Sequence, residues 1–409
     1  MNFVLENGLT LIYQKREGEL TSFCIGFNAG ALIETKENYG VAHALEHMLF
    51  KATKTKSEFE INRLCDETFG FHNAMTNFPY AIYYGTTLSK DFNKGLNIYS
   101  DIIINPTFPI DGFKEEISII LEELKEWKDD PYQYLEDNLL FNAFKERRIK
   151  NIIIGTEESI NNIKLEDIKE YYKKFYAPRN CVISVVSSLD FELVLGIVKN
   201  CFNHFNSDFK ERFLEIDERN IPGRFEIERE GITGAKIQYC FSIDKLNKEE
   251  LKALNIFNVC FGEGTSSILY DQIRTKNALA YEVYSEIKNE RGIKLFNIVL
   301  GTSGENIEQA ISLIDKSIQA IKTNNSYFSK VKIAAAAKSF NLKRALKNER
   351  SIEFAKNITT FELMYGDSNI MFEETENLNL ITESDILKVI NKVLVYPTIQ
   401  VIKPVNHFL

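Results

Sequence analysis

Two successive stretches of this chain repeat one alternation of strands and helices, and that repetition limits the open folds more than any other feature. The first stretch opens on a hairpin pattern around Asn7-Gly8, with strands over 2–5 and 10–14, then a buried strand over 21–28. Strands over 71–77 and 81–88 follow, with Pro79 between them marking a turn or sheet edge. Helical periods then run over 90–104, 110–128, 132–147 and 165–175, before a buried strand at Cys181–Ser187 and a helix over 190–203. A charged, aperiodic stretch from about Asn206 to Gly223, ending in Pro222-Gly223, reads as a linker. The cycle restarts with strands over 224–229 and 236–242, helices over 248–260 and 266–275, strands over 280–288 and 294–301, several helices, and a last strand over 398–402. At 409 residues the chain exceeds one comfortable core. The expected class is α+β: two similar α/β-sandwich halves, each a mostly antiparallel sheet packed against helices, over 1–210 and 223–409.

Composition excludes several classes. A formal net charge of -9 gives no electrostatic footprint for nucleic acid. No run approaches the roughly 18 apolar residues of a membrane span. The N-terminus runs straight into a strand pattern without the layout of a targeting peptide, so the expected location is cytoplasmic. Six cysteines are scattered without C-x-x-C spacing and read as buried free thiols. Gly262-Glu263-Gly264-Thr265-Ser266-Ser267 lacks the Gly-Lys-Ser/Thr ending of a phosphate loop and reads as a flexible entry to a helix capped by Thr or Ser.

The chemistry concentrates at Gly40-Val41-Ala42-His43-Ala44-Leu45-Glu46-His47-Met48-Leu49-Phe50, which holds two of only five histidines. His-x-x-Glu-His is the inverted form of a common zinc motif. In a helix, His43, Glu46 and His47 fall within about a 100° arc, with Val41, Ala44, Leu45 and Met48 opposite. Two imidazoles at i, i+4 can grip one zinc ion, and Glu46 is placed to take a proton from water. The plainer reading is an amphipathic helix with two histidines by chance. A catalytic zinc also wants a third ligand, which directs attention to the 110–128 helix. With Glu116 at 0°, Glu123 falls at about -20°, on the side of Ile119, Ile120 and Trp127, whereas Glu122 joins the polar arc. Carboxylates among apolar residues call for a cation; alternatively they flank an ordinary core face and snorkel outward.

These residues resemble a known family. Gly30 with Glu34, the stretch Gly40–Thr53, and Asn73-Ala74-Met75-Thr76 look like the first half of the insulinase (pitrilysin) family of zinc peptidases, nearest its short branch of bacterial processing proteases and the mitochondrial processing peptidase β subunit. Glu116–Glu123 resembles the segment carrying that family's last zinc ligand. Ser266–Tyr281 looks like its Arg-x6-Tyr segment. From the residues alone, Arg274 is a surface helix residue and Tyr281 a half-buried strand tyrosine. Asn277-Ala278 stands where the family usually has Arg-Gly, Phe78-Pro79-Tyr80 where its edge strand is usually polar, and Ala52 where glycine is usual.

The resemblance implies one Zn²⁺ per chain on His43, His47 and Glu123, with Glu46 as general base and Glu116 as supporting acid. It further implies substrate binding by Arg274, Tyr281, Asn73 and Ala74. The expected function is a zinc endopeptidase acting on peptides or unfolded polypeptide. The expected assembly is a homodimer, or a pair with a related subunit, because short members supply two of the four similar domains of single-chain relatives. The alternatives are a non-catalytic structural or substrate-holding subunit and a metal hydrolase acting on something other than peptides.

Overall fold

The computed structural model describes residues 1–209, 216–323 and 327–405; of the expected linker, 210–215 lie outside them. Eleven strands are described: β1 (Asn2–Val4), β2 (Thr10–Lys15), β3 (Leu20–Phe27), β4 (Phe71–Thr76), β5 (Ala81–Leu88), β6 (Cys181–Ser187), β7 (Gly223–Arg229), β8 (Ala235–Ser242), β9 (Ala280–Glu290), β10 (Ile293–Thr302) and β11 (Thr398–Pro404). The helices are α1 (Val41–Leu49), α2 (Glu58–Thr68), α3 (Phe92–Ile104), α4 (Ile110–Asp129), α5 (Pro131–Ala143), α6 (Glu157–Asn162), α7 (Leu165–Phe175), α8 (Phe191–Phe202), α9 (Lys248–Phe261), α10 (Ile307–Thr323), α11 (Lys330–Glu349), α12 (Ser351–Tyr365), α13 (Ile370–Glu373) and α14 (Glu383–Val393).

The sheets run β1-β2-β6-β3-β5-β4 and β7-β11-β8-β10-β9. Leaving out β1, the two follow one rule: first strand, last, second, fourth, third. In each, only the pairing of first with last is parallel (β2 with β6, β7 with β11), and all others are antiparallel. Two α+β halves with mostly antiparallel sheets are thus what the chain forms.

Two compact units interleave along the sequence. Met1–Lys125, Ile152–Leu214 and Leu346–Met371 make the first; Glu126–Asn151, Glu215–Ala345 and Phe372–Leu409 make the second. The expected boundary between 210 and 223 is therefore crossed by two segments. Helix α5 packs on β8 and β11 of the second sheet, where Asn142 Nδ2 donates to Gln400 Oε1 at 2.8 Å. Helix α12 packs on β3, β5 and β6 of the first.

That placement explains the apolar runs of the first sheet's central strands, since β3 and β6 are buried along almost their whole length. Phe23, Ile25 and Phe27 face the core formed with α1, α3, α7 and α8. The alternate residues of the sheet, with Cys24, Ile82 and Val182, meet Ile352, Ala355 and Ile358 of α12. Polar groups under α12 are paired: Ser184 Oγ donates to the Ala355 carbonyl at 2.7 Å and accepts from Thr359 Oγ1 at 2.7 Å. In the second unit, Phe241, Phe257, Phe296, Ile314 and Val389 belong to one core.

The 266–275 helix differs from expectation. The chain takes a wide π turn over Tyr270–Thr275, and Ser267 Oγ accepts from Tyr270 N at 3.3 Å at its entry. The thiols are as expected, all free and buried or half-buried. Among the described residues no helix is long and apolar enough to cross a membrane.

Gly26 lets β3 lie close against α12: a Cβ there would lie 2.6 Å from Thr359 Cγ2 and 2.7 Å from Leu363 Cδ1. Gly26→Ala is expected to lower unfolding free energy by about 1–3 kcal/mol through overpacking. Denaturant titration checks this, and wild-type stability in the variant would show that α12 yields freely.

Candidate metal centre

Helix α1 begins with two constraints met at once. Gly40 at its N-cap has φ 96°, and a Cβ there would lie 2.5 Å from the Ile154 carbonyl oxygen. The buried Glu34 carboxylate then caps the helix, Oε2 accepting from Gly40 N at 3.2 Å and Oε1 from Ala42 N at 2.9 Å. An anion at this end also meets the positive pole of the helix. Val41, Ala42, Ala44, Leu45, Met48 and Leu49 are buried, which turns His43, Glu46 and His47 to the remaining face.

Helix α4 supplies the opposing groups. Glu123 Oε1 lies 3.6 Å from His43 Nε2, and Glu123 Oε2 lies 3.5 Å from His47 Nε2. The other nitrogen of His47, Nδ1, is 2.8 Å from Glu116 Oε2. One ligand atom from each of His43, His47 and Glu123 can be chosen so that all lie within 4.8 Å of one another. These spacings test the fit of a metal. Neutral imidazole nitrogens and carboxylate oxygens are both acceptors and repel without a proton or cation between them. N–H···O bonds are commonly about 2.7–3.2 Å, whereas ligands on one tetrahedral ion at about 2.0–2.1 Å stand roughly 3.3 Å apart. The observed separations suit a shared ion.

The electrostatics agree. Burial drives the His43 imidazolium down to about 4, helped by the charge of His47. Burial also opposes a charge on His47, but hydrogen bonds to Glu116 and Glu123 outweigh it and push its pKa up to about 9. The field that draws a proton to His47 draws a cation equally, and the two compete for its lone pair. Burial raises the Glu46 carboxyl above its usual range, partly offset by the Thr76 hydroxyl that donates to Glu46 Oε2. His43 Nδ1 is buried and has no hydrogen-bond partner among the described residues. Its ring is held by packing, including an edge contact with His47 at 4.7 Å between centroids.

The helical reading of α4 needs one correction. The buried stripe is Gly112, Glu116, Ile120 and Leu124, while Ile119, expected on the Glu116 side, is 49% exposed. A stripe spaced by four drifts about 40° per step, and Ile119 and Glu123, themselves four apart, run along its flank about 100° from Ile120 and Leu124. Glu122 points to solvent and pairs with Lys125 at 2.6 Å.

Asn73 and Ala74 lie on β4, which among the described residues pairs only with β5 and forms an edge of the sheet beside α1. Arg274 and Tyr281 belong to the second unit, where they touch each other. The guanidinium carbon is 4.6 Å from the Tyr281 ring centroid and 4.9 Å from that of Tyr270. Tyr281 is 84% exposed, not half-buried.

Residues 10–157 match the model of the insulinase family (peptidase family M16), and 162–339 match that of the peptidase M16 inactive domain. The chain belongs to the M16 peptidase family. An uncharacterized zinc protease of Rickettsia felis is 26% identical over 95% of this chain and 93% of its own length. One from Bacillus subtilis is 25% identical over 95% and 97%. Among solved structures, a protease from Helicobacter pylori shares the fold with TM-score 0.89 at 20% identity, covering 99% of both chains. A peptidase M16 inactive domain structure from Pseudomonas fluorescens follows at 0.88 and 18%, covering 99% of this chain and 98% of that one.

Three residues around the centre carry contacts that motif spacing did not assign: Glu34 as helix cap, Thr76 on Glu46, and Lys51, whose Nζ is 3.2 Å from Glu116 Oε1. Glu34 had a usable signal, an acid a few residues before a helix start. Glu34→Ala is expected to cost about 1–2 kcal/mol of stability as a lost N-cap, with a smaller loss for Glu34→Gln. Denaturant titration of both variants measures it, and an unchanged Glu34→Ala would show that the cap adds nothing.

Proposed function

We propose that this chain is a zinc-dependent endopeptidase acting on peptides or unfolded polypeptide. The observation that carries this reading is the convergence of His43, His47 and Glu123 beside a carboxylate, Glu46, held in place by Thr76. His43 and His47 would hold zinc through Nε2 and Glu123 through its carboxylate. When bound, zinc supplies Lewis acidity, polarising the scissile carbonyl and making water acidic enough to attack near neutral pH.

The protein's own groups do the rest. Glu116 accepts from His47 Nδ1 and so leaves Nε2 as a lone-pair donor. Thr76 occupies Glu46 Oε2, and Oε1 is the oxygen left to take a proton from the attacking water and pass it to the leaving amine. The edge strand β4, at Asn73 and Ala74, suits an extended peptide added as a further strand. Arg274 and Tyr281 offer a guanidinium and a phenol for the substrate and its developing negative charge. A non-catalytic holding subunit would have no need of Glu46 and its Thr76 contact.

Hydrolysis of a mixed peptide library with and without chelator, and after zinc is restored, tests the reading. Activity that ignores the chelator, or no activity with zinc bound, would sink it. One zinc per chain is expected by metal analysis, with loss on His43→Ala, His47→Ala or Glu123→Gln and retention in Glu122→Gln. Glu46→Gln is expected to keep zinc and lose at least about a hundredfold in turnover. For assembly, a homodimer or a pair with a related subunit is expected. If Arg274 serves the centre of a second chain, mixing inactive Glu46→Gln with inactive Arg274→Ala restores activity. Light scattering that finds a fully active monomer would refute the need for a second chain.

A further inference from the structure

Lys51 stands two residues beyond the end of α1, with its side chain 7% exposed. Its ammonium lies 2.6 Å from Glu58 Oε2, 3.1 Å from Glu115 Oε2 and 3.2 Å from Glu116 Oε1. The first two carboxylates are well exposed, so their pairing is screened by water and adds little. The Glu116 side chain is 9% exposed, and its contact is of another kind. One of its oxygens is taken by Lys51 and the other by His47 Nδ1. A carboxylate gripped at both oxygens by groups of fixed position has one rotamer and one plane. Helix α4 is shaped for this, because Gly112 lets the lysine stem pass: a Cβ there would sit 3.0 Å from Lys51 Cε.

We propose that Lys51 is a positioning residue for the metal centre: by holding Glu116 Oε1 it directs Oε2 onto His47 Nδ1 and so aims His47 Nε2 at the ion. The inference rests on the zinc reading above. A ligating imidazole depends on the partner of its second nitrogen, and loss of such a partner typically weakens metal binding by about 10–100-fold. Lys51 acts one contact further out. Its effect must therefore pass through Glu116 and vanish when Glu116 can no longer transmit it. Lys51 also ties the end of α1 to α2 through Glu58, but a purely structural tie would alter stability and leave the zinc affinity of folded protein unchanged.

The test is a zinc affinity measurement by competition with a chromophoric chelator, on full-length variants shown to be folded by circular dichroism. Lys51→Met is expected to bind zinc about tenfold more weakly and Glu116→Gln about 10–100-fold more weakly. The double variant should match Glu116→Gln within about twofold, while Glu58→Gln should match wild type within about twofold. Wild-type affinity in Lys51→Met, or losses that multiply in the double variant, would overturn the assignment. So would a Glu58→Gln variant as weak as Lys51→Met, because the centre would then be answering to local charge and not to the Glu116 contact. If Lys51→Met does not fold, Lys51→Met/Glu115→Gln removes one stranded carboxylate and is titrated in its place, with the same expectation. Wild-type protein that binds no zinc would overturn the metal reading itself, an outcome distinct from all of these.

Discussion

An excess of negative charge, partly withdrawn from water and facing two imidazoles, is the constraint on which the first unit depends. Glu46, Glu116 and Glu123 are drawn together around α1, and the ammonium of Lys51 is the cation paired with one of them. That ammonium is shared with Glu58 and Glu115, so the cluster keeps an excess of negative charge of the kind a divalent cation offsets. Withdrawing carboxylates from water without compensation is costly. The cluster meets this partly by holding a proton on His47 and by raising the Glu46 carboxyl toward its neutral form. A metal ion would remove the need for both.

Around that constraint, several elements serve both the core and the candidate site. Helix α1 gives six side chains to the core and three to the centre. Helix α4 buries Gly112, Ile120 and Leu124 and presents Glu116 and Glu123 along the same flank. The second sheet repeats the strand order of the first, yet the stretch before its third strand holds Arg274 in a π turn. Shared architecture therefore does not carry chemistry from one unit to the other; side chains do.

What could be read from sequence divides along the range of the interaction. Helix α1 and its two-sided character follow from residues within three turns, and so were legible. The repetition of elements was legible too, but the strand order was not: leaving out β1, in each sheet the last strand lies between the first and the second, against the tendency of sequential strands to pair. The exchange of α5 and α12 was not legible, because an amphipathic period says that one face is buried and not which sheet buries it. Lys51 and Glu116 are distant in sequence, and no local pattern couples them. Ile119 went astray for a different reason: a wheel centred on Glu116 places the arc's midpoint on that residue, whereas packing centres it nearer Ile120. At Ala278, with φ 50°, the backbone takes the left-handed form that glycine favours, which accounts for the glycine usual there in the family.

The choice between Glu122 and Glu123 shows how little separates a proposed metal ligand from a surface charge. The two are adjacent and identical, and both can reach a cation. Glu122 finds Lys125 on the exposed arc, a pair with side chains about 70% open to water and therefore weak. Glu123 is turned about 100° away, to the margin of the buried stripe. There it loses part of its hydration and meets His43 and His47 at once. The spacing of seven from Glu116 brings both acids to the same flank after nearly two full turns. One acid then serves Nδ1 of His47 and the other its Nε2, so a single imidazole is bracketed by two carboxylates from one helix. A shift of α4 by one residue would put Glu122 near His43 and His47 and also carry Glu116 off His47 and Lys51. The register is thus held by Glu116 as much as by Glu123.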